Sequence, residues 1–107
     1  MTLTEVKNKH EHYFEDEKGL KQGEYKMYFG NGSLYFQRYY KDNKKHGECK
    51  NYYANGQLSN HCYYKDDKLH GEYKGYFSNG SLSGIRYYSS GQDITDMYNK
   101  LNVWKSL

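Results

Sequence analysis

GEYKMYFGNGSLYFQRYYKDNKKH, residues 23–46, is followed by GECKNYYANGQLSNHCYYKDDKLH, residues 47–70, and then by GEYKGYFSNGSLSGIRYYSSGQDI, residues 71–94. Gly-Glu recurs at Gly23-Glu24, Gly47-Glu48 and Gly71-Glu72, and Asn-Gly at Asn31-Gly32, Asn55-Gly56 and Asn79-Gly80. Tyr-Tyr recurs at Tyr39-Tyr40, Tyr63-Tyr64 and Tyr87-Tyr88, and every step is 24 residues. The first two units agree at 13 of 24 positions, so the repetition is not chance. A fixed period of this length is the signature of a repeat architecture in which each unit is one supersecondary element.

Within a unit, Asn-Gly lies between residues that favour strands, which is the strongest short-range hairpin signal and predicts a two-residue type I′ turn. That turn sets a register in which Phe29 opposes Leu34, Met27 opposes Phe36 and Tyr25 opposes Arg38. Period-2 alternation then divides the side chains between two faces. One face carries Tyr25, Met27, Phe29, Leu34, Phe36, Arg38 and Tyr40, and is expected to pack; in later units it takes Tyr53 with Leu58 and Phe77 with Leu82. The other face carries Glu24, Lys26, Tyr28, Tyr35, Gln37 and Tyr39. The cross-strand pairs Tyr25–Arg38 and Tyr73–Arg86 suit cation–π contact, worth roughly 0.5–1 kcal/mol at an exposed site. In the second unit both partners change together, which places Cys49 opposite Cys62.

Outward from the repeats, residues 1–22 read as an N-terminal strand and a degenerate half-unit, with Tyr13-Phe14 standing for the Tyr-Tyr pair. The gap from that pair to Gly23 is two residues longer than in later units. At the other end Ile94, Met97, Tyr98, Leu101 and Trp104 fall at helical spacing, with Asp93 or Thr95 as the N-cap. Residues 95–107 are therefore expected to form a capping helix, which a stacked array requires. The fold class is all-β: an elongated, single-layer antiparallel sheet of repeated hairpins with a 24-residue period and a short C-terminal helix. The 1–107 chain is one repeat domain, divided 1–22, 23–46, 47–70, 71–94 and 95–107.

Composition fits this reading. Mean hydropathy is −1.24, yet the 107 residues include 15 Tyr, and 19% are aromatic, whereas disordered chains are poor in aromatics. Tyr packs its ring while its hydroxyl stays wet. There is no Pro, and the 11 Gly suit hairpin turns. The net charge of +3 comes from interleaved Lys and Glu/Asp, without the basic stripe of a nucleic-acid binder. The first residues lack a signal-peptide core, no run of about 18 apolar residues exists, and two cysteines are too few for a disulfide scaffold. The expected compartment is the cytoplasm.

The units, and above all the link Tyr63-Tyr64-Lys65-Asp66-Asp67-Lys68-Leu69-His70-Gly71-Glu72, resemble the MORN-repeat family in its bacterial and viral variant form. The resemblance covers about residues 13–92. It implies elongated hairpin sheets that serve as binding platforms or assembly modules. Some members of the family are linked to acidic phospholipids, and many bacterial relatives are labelled antitoxin-like.

Candidate residues follow from the repetition. Tyr28, Tyr52, Tyr76, Tyr39, Tyr63 and Tyr87, with Lys26, Lys50 and Lys74, form a polar face that stabilises the sheet through cross-strand pairs and suits a partner surface. Among the five histidines, His46 and His70 recur just before Gly and are read as turn-supporting groups, while His10 and His12 are read as residues of a solvated edge strand. Cys49 and Cys62 are read as free thiols, since cytosolic thiols stay reduced; the alternative is a disulfide. Two thiols without further ligands make no zinc site. General acid–base chemistry needs unlike groups converging in a pocket, whereas here each candidate is copied along a sheet, so no enzyme, metal or cofactor is expected. The function read from these features is a non-enzymatic module that binds another protein, as an antitoxin-like or inhibitor-like neutraliser. The alternatives are peripheral binding to acidic phospholipid and homo-oligomeric assembly as a scaffold.

Overall fold

A computed structural model describes residues 2–102. Strands follow one another as β1 (Thr4–Lys7), β2 (Glu11–Glu15), β3 (Gly23–Tyr28), β4 (Leu34–Lys41), β5 (Lys44–Lys45), β6 (Gly47–Tyr52), β7 (Leu58–Lys65), β8 (Lys68–Leu69), β9 (Gly71–Tyr76), β10 (Leu82–Ser89) and β11 (Gln92–Asp93), before helix α1 (Thr95–Asn102). All belong to one antiparallel sheet in the order β1-β2-β3-β4-β6-β7-β9-β10-β11, with β5 paired to β4 and β8 to β7. The open single layer of repeated hairpins is the architecture expected from the period. Its extents are 52 × 33 × 17 Å, and its radius of gyration of 16.4 Å exceeds the ~13 Å of a compact chain of this length.

The turns differ from expectation. Phe29 N–H donates to Ser33 O (2.7 Å) and Gly32 N–H to Phe29 O (2.9 Å), which makes a three-residue loop of Gly30, Asn31 and Gly32. Gly32 has φ +89°, but Asn31 is not left-handed, so type I′ is excluded. Instead this is a type I turn closed by a glycine bulge. The reason lies in the asparagine side chain, whose Oδ1 accepts from Ser33 N–H (2.9 Å) and Ser33 Oγ–H (2.7 Å) and so stabilises the right-handed conformation at Asn31. Asn55 and Asn79 do the same for Gln57 and Ser81.

A three-residue loop would slip the hairpin register by one. A second irregularity restores it: Tyr28 opposes Leu34 but Met27 opposes Phe36, which leaves Tyr35 as an extra residue. Ser59 and Ser83 are the extra residues of the later hairpins. The interior pairs are therefore those read from the sequence, Tyr25↔Arg38, Cys49↔Cys62 and Tyr73↔Arg86. The Phe29–Leu34 pair is not formed, and Leu34, Leu58 and Leu82 stand opposite Tyr28, Tyr52 and Tyr76 instead.

Type I′ geometry does occur, in the linkers. Asp42-Asn43 and Asp66-Asp67 have positive φ at both positions, as do Ser90-Gly91. Each is the two-residue tip between a long strand and its short partner, for instance Lys41↔Lys44. The short strand then kinks at His46-Gly47, where Gly47 has φ +105°, before continuing as β6. His46 N–H and His70 N–H donate to Tyr39 O and Tyr63 O. His70 Nδ1 also accepts from Ser90 N–H (3.1 Å), so its turn-supporting part is visible. His46 Nδ1 lies 3.8 Å from Asp66 Oδ1, without a hydrogen bond.

At the N-terminus the half-unit is a complete hairpin. Glu5↔Phe14, Val6↔Tyr13 and Lys7↔His12 in β1–β2 match Glu24↔Tyr39, Tyr25↔Arg38 and Lys26↔Gln37 in β3–β4. Phe14-Glu15, not Tyr13-Phe14, therefore occupies the place of the Tyr-Tyr pair. The longer linker after it is organised by buried Asp16, whose carboxylate accepts from Lys18 N–H (2.9 Å), Leu20 N–H (3.0 Å) and Gln22 Nε2 (3.1 Å). These bonds, that from Gln22 foremost, hold its pKa below the usual range. At the other end Asp93 Oδ1 accepts from Thr95 N–H (2.9 Å), so the capping carboxylate is Asp93. Thr95 instead accepts the Tyr87 N–H at its hydroxyl (2.9 Å). Trp104 and the rest of 103–107 lie outside the described residues.

The core is thin. Its buried apolar side chains are Tyr25, Phe36, Cys49 and Cys62, all on the face expected to pack. Tyr25 stacks on Tyr13 (4.9 Å) and on Phe36 (5.6 Å), and Lys21 Nζ sits 5.7–5.9 Å above Tyr13, Tyr25 and Tyr40. The expected Tyr–Arg cation–π pairs do not form. Arg38 lies over Phe36 instead (3.7 Å), and Arg86 pairs with Asp93 (3.0 Å), because the planar guanidinium finds a flat ring and a carboxylate within reach on its own strand and linker.

Two predictions follow from the turns and the core. Gly32→Ala should cost about 1–2 kcal/mol through its left-handed φ, and Asn31→Gly should cost about 1 kcal/mol because the Ser33 hydrogen bonds vanish. Chemical denaturation would detect both, and an unchanged stability for Asn31→Gly would restore the type I′ reading. Burial raises the phenol pKa of Tyr25, Tyr64 and Tyr73 above the ordinary 10.0, with Glu11 adding to the rise at Tyr25, whose hydroxyl donates to the Glu11 carboxylate. A folded pKa above the unfolded one means that this stability is whole below about pH 10 and is lost as pH rises further. The denaturation midpoint should therefore fall from pH 10 upward, and less steeply in Tyr25→Phe.

A candidate binding face

Opposite the thin core lies a face built by register alone. Lys7↔His12, His12↔Lys26, Lys26↔Gln37, Gln37↔Lys50, Lys50↔His61, His61↔Lys74 and Lys74↔Ile85 are successive cross-strand neighbours. They form one unbroken row from β1 to β10. Strands are spaced about 4.8 Å apart, so its lysines recur about every 10 Å. Two residues along each strand a second row sets Glu5 opposite Phe14, Glu24 opposite Tyr39, Glu48 opposite Tyr63 and Glu72 opposite Tyr87. A third row on the other side sets Tyr28, Tyr52 and Tyr76 opposite Leu34, Leu58 and Leu82.

The nine polar-face residues singled out in the sequence thus fall into three rows rather than one cluster. Lys26, Lys50 and Lys74 share the central row. Tyr39, Tyr63 and Tyr87 do not stack on one another, because a glutamate strand stands between successive rungs. Tyr63 is the most open of them at 38%, and Tyr87 is covered by Tyr98 of α1, with ring centroids 3.7 Å apart.

Electrostatically the face is close to self-neutralised. Lys26 pairs with Glu24 (3.5 Å), Lys50 with Glu48 (3.7 Å) and Lys74 with Glu72 (3.3 Å). Cross-strand donors add to this: Gln37 Nε2 donates to Glu24 (2.6 Å) and His61 Nε2 meets Glu48 (2.9 Å). His12 repeats the His61 arrangement against Glu5 (3.6 Å). The Glu72 hydrogen bond and charge raise the Lys74 pKa, so its ammonium stays charged. Exposed pairs of this kind contribute about 0–1 kcal/mol each, and their effect is to fix side-chain directions.

Sequence reasoning missed Glu5, Lys7 and His12 as members of this face. The signal was present in Glu5-x-Lys7, which repeats the Glu-x-Lys of every unit, but it precedes Glu24 by 19 residues and not by the period. His12 lies in β2, whereas His10 precedes that strand, at the hairpin tip. His61 faces away from Cys62, as alternation requires.

On the packed side Cys49 and Cys62 face each other without a bond between them, 3% and 2% exposed. Asn51 Nδ2 approaches Cys49 Sγ at 3.7 Å. The neighbouring Cys62 thiol, reinforced by the Arg38 charge, lowers the Cys49 pKa, and the same partnership raises that of Cys62. Among the described residues no three His, Cys, Asp or Glu side chains gather as a metal site, and no helix is long and apolar enough to cross a membrane.

Residues 21–42, 45–66 and 69–90 each match the family model described as MORN repeat variant. A search of curated protein sequences returns no match.

The substituted pair of the middle unit invites a direct test. Cys49→Ala and Cys62→Ala should each destabilise alone, and the double variant should cost less than the sum of the two, because the buried side chains face each other. A favourable coupling of about 0.5–3 kcal/mol in a double-mutant cycle is expected; strictly additive losses would show that the two positions do not act together.

Proposed function

The chain belongs to the MORN-repeat variant family, and from that premise we propose that it is a protein-binding module that holds its partner on the Glu/Lys/Tyr face. Repeats of this family generally serve as binding modules for proteins or membranes and are not typically catalytic. The observation that carries the reading is the unbroken cross-strand row from Lys7 to Ile85. Its charged side chains are already aimed by their own ion pairs, and pre-set groups lose less freedom when a partner docks. Half-exposed tyrosines flank the row, and Tyr is the residue type enriched in interface hot spots.

A protein partner suits this surface better than an acidic membrane does. Membrane attraction draws on clusters of unneutralised Lys and Arg, whereas Lys26, Lys50 and Lys74 each lie within 3.3–3.7 Å of a glutamate. Alternating charge at a fixed spacing matches a protein surface of mixed sign. Stoichiometric capture of one partner, as by an antitoxin-like or inhibitor-like neutraliser, is the mode of action we assign.

Affinity purification of the tagged chain from its source cells, read by mass spectrometry, tests this. A stoichiometric partner is expected, and it should be lost in Tyr39→Ala/Tyr63→Ala and kept in the linker variant Lys65→Ala, with circular dichroism showing both folded. Recovery of no protein, together with sedimentation on anionic vesicles, would transfer the function to lipid. A partner equally retained by Tyr39→Ala/Tyr63→Ala would remove this face from the proposal.

A further inference from the structure

We propose that β10 is an acceptor edge for the β1 strand of a second copy of this chain, which would join copies head to tail into one continuous sheet. This joint uses the ends of the sheet and does not depend on what the polar face binds.

The template for it is printed three times within the chain. The second strand of each hairpin receives the first strand of the next: β2 takes β3 through His12↔Lys26, β4 takes β6 through Gln37↔Lys50, and β7 takes β9 through His61↔Lys74. In each case the residue received is the lysine of a Glu-x-Lys strand. On β10 the equivalent acceptor is Ile85, and among the described residues no strand pairs with it on that side. β11 covers Tyr88 and Ser89, and Thr95 and Ile94 take the Tyr87 N–H and C=O, which leaves residues 82–86 without a strand partner on this side. At Thr95, one period after Gly71, where the next Gly-Glu-x-Lys strand would begin, the chain turns into α1. Residues 82–86 are consequently all exposed, with Leu82 at 49% and Ile85 at 37%. Edge strands are ordinarily protected by charge or proline; this one presents Leu82, Ser83, Gly84 and Ile85, with Arg86 as its one charge.

The complementary strand stands at the other end of the sheet. Thr4-Glu5-Val6-Lys7 of β1 carries the same Glu-x-Lys and faces β2 in the register of the first strands of the units. Its outer side has no partner among the described residues. Transferring the template puts Lys7 opposite Ile85 and Asn8 opposite Gly84, and brings Val6 beside Arg86. A recess of about 350 Å³ beside this edge, lined by Tyr73, Gly75, Gly84, Ile85 and Arg86 among others, leaves room for the incoming side chains. It exists because the pair that is Met27–Phe36 in the first unit is Gly75–Gly84 here.

The backbone parity agrees. Tyr28 N–H donates to His10 O, so alternate N–H groups of β3 point to β2. By equivalence the N–H groups of Glu5 and Lys7 point outward from β1, towards the second copy. A head-to-tail joint of this kind does not close on itself and gives open chains. A few residues of strand pairing bury less than the roughly 1,200 Å² of stable interfaces, so assembly should be weak and rise with concentration.

Sedimentation velocity from micromolar to millimolar protein is the first experiment, with an increasing mean mass expected. Lys7→Pro removes the outward N–H that would donate to Ile85 O, a loss that an edge strand tolerates, and Ile85→Lys places an extra charge on the acceptor edge. Both should stay monomeric with unchanged circular dichroism. The register is then read by mixing Lys7→Cys with Ile85→Cys chains under oxidised glutathione. The hydrogen-bonded strand pair places Cα atoms about 5.5 Å apart, within disulfide reach, so a mixed dimer should form, whereas Lys7→Cys alone should give none. Constant monomer mass with no mixed dimer would overturn the proposal, as would assembly that both Lys7→Pro and Ile85→Lys leave untouched.

Discussion

Every inter-unit joint rests on a backbone hydrogen bond between successive linkers. Asn43 N–H donates to Lys21 O (3.0 Å), Asp67 N–H to Lys45 O (2.9 Å) and Gly91 N–H to Leu69 O (2.7 Å), each pair one period from the last. Within each of the three 24-residue units the hairpin strands share six registered pairs, but β4 and β6 share only two, as do β7 and β9. The main sheet alone would therefore join its units weakly. The column of linker turns supplies the second line of attachment, and side chains reinforce it: Gln22 Oε1 accepts from Asp42 N–H (3.1 Å), and His70 from Ser90 N–H (3.1 Å) at the equivalent place. This explains why the linkers use left-handed Asp, Asn and Ser despite their cost. Only a tight two-residue tip brings the short strand back alongside the long one and the tip against the preceding linker.

Such a construction is unsuited to chemistry that needs convergence. Repetition places like with like at fixed spacing, so lysines meet glutamates of their own strand and tyrosines face glutamates or leucines. On the packed side the buried Cys49–Cys62 pair has the half-buried Arg38 beside it, and on the polar face the unlike pairs repeat as separate two- and three-residue contacts. What repetition does produce is a long patterned surface whose side chains are pre-oriented at the cost of very little core. The function follows from that economy: a sheet 17 Å thick offers nearly all of its residues to a face or an edge.

How much of this was legible depended on which residues recur. The period, the strand pairing, the packed face away from the hairpin tips and the opposition of Cys49 to Cys62 could all be read because three copies agree, whereas Leu34, Leu58 and Leu82, expected on the packed face, stand opposite Tyr28, Tyr52 and Tyr76. The turn chemistry could not, since Asn-Gly signals both a two-residue type I′ loop and a type I turn with a glycine bulge. The deciding feature is the Asn31 carboxamide reaching Ser33, a matter of side-chain geometry. The extra residue at Tyr35 went unseen for a related reason: its offset cancels that of the loop, so the interior pairs were right although the hairpin tip was wrong. The β1–β2 hairpin was hidden by its different spacing, and the row was complete only when the register joined Lys7 and His12 to it. Arg38 on Phe36 rather than Tyr25 is a choice between two rings within reach, which pairing alone does not decide.

Burial is not shared evenly among the units, and that asymmetry orders the molecule from one end to the other. Tyr25 and Phe36 are buried in the first unit, backed by Tyr13, Tyr40 and Lys21. In the second unit the buried side chains are Cys49, at the place of Tyr25, and Cys62, with Asn60 at the place of Phe36, and no residue of the third reaches the same burial. In a linear array stability is close to a sum over units and their interfaces. The aromatic first unit should therefore anchor the sheet, while the third, with Gly75 opposite Gly84 where the first has Met27 opposite Phe36, depends on its neighbour β7 and on α1. A terminal unit of this kind gains more from a further strand than any other part of the sheet does. Gly75 and Gly84 thin its packing beside the same edge that the turn into α1 at Thr95 leaves without a strand partner.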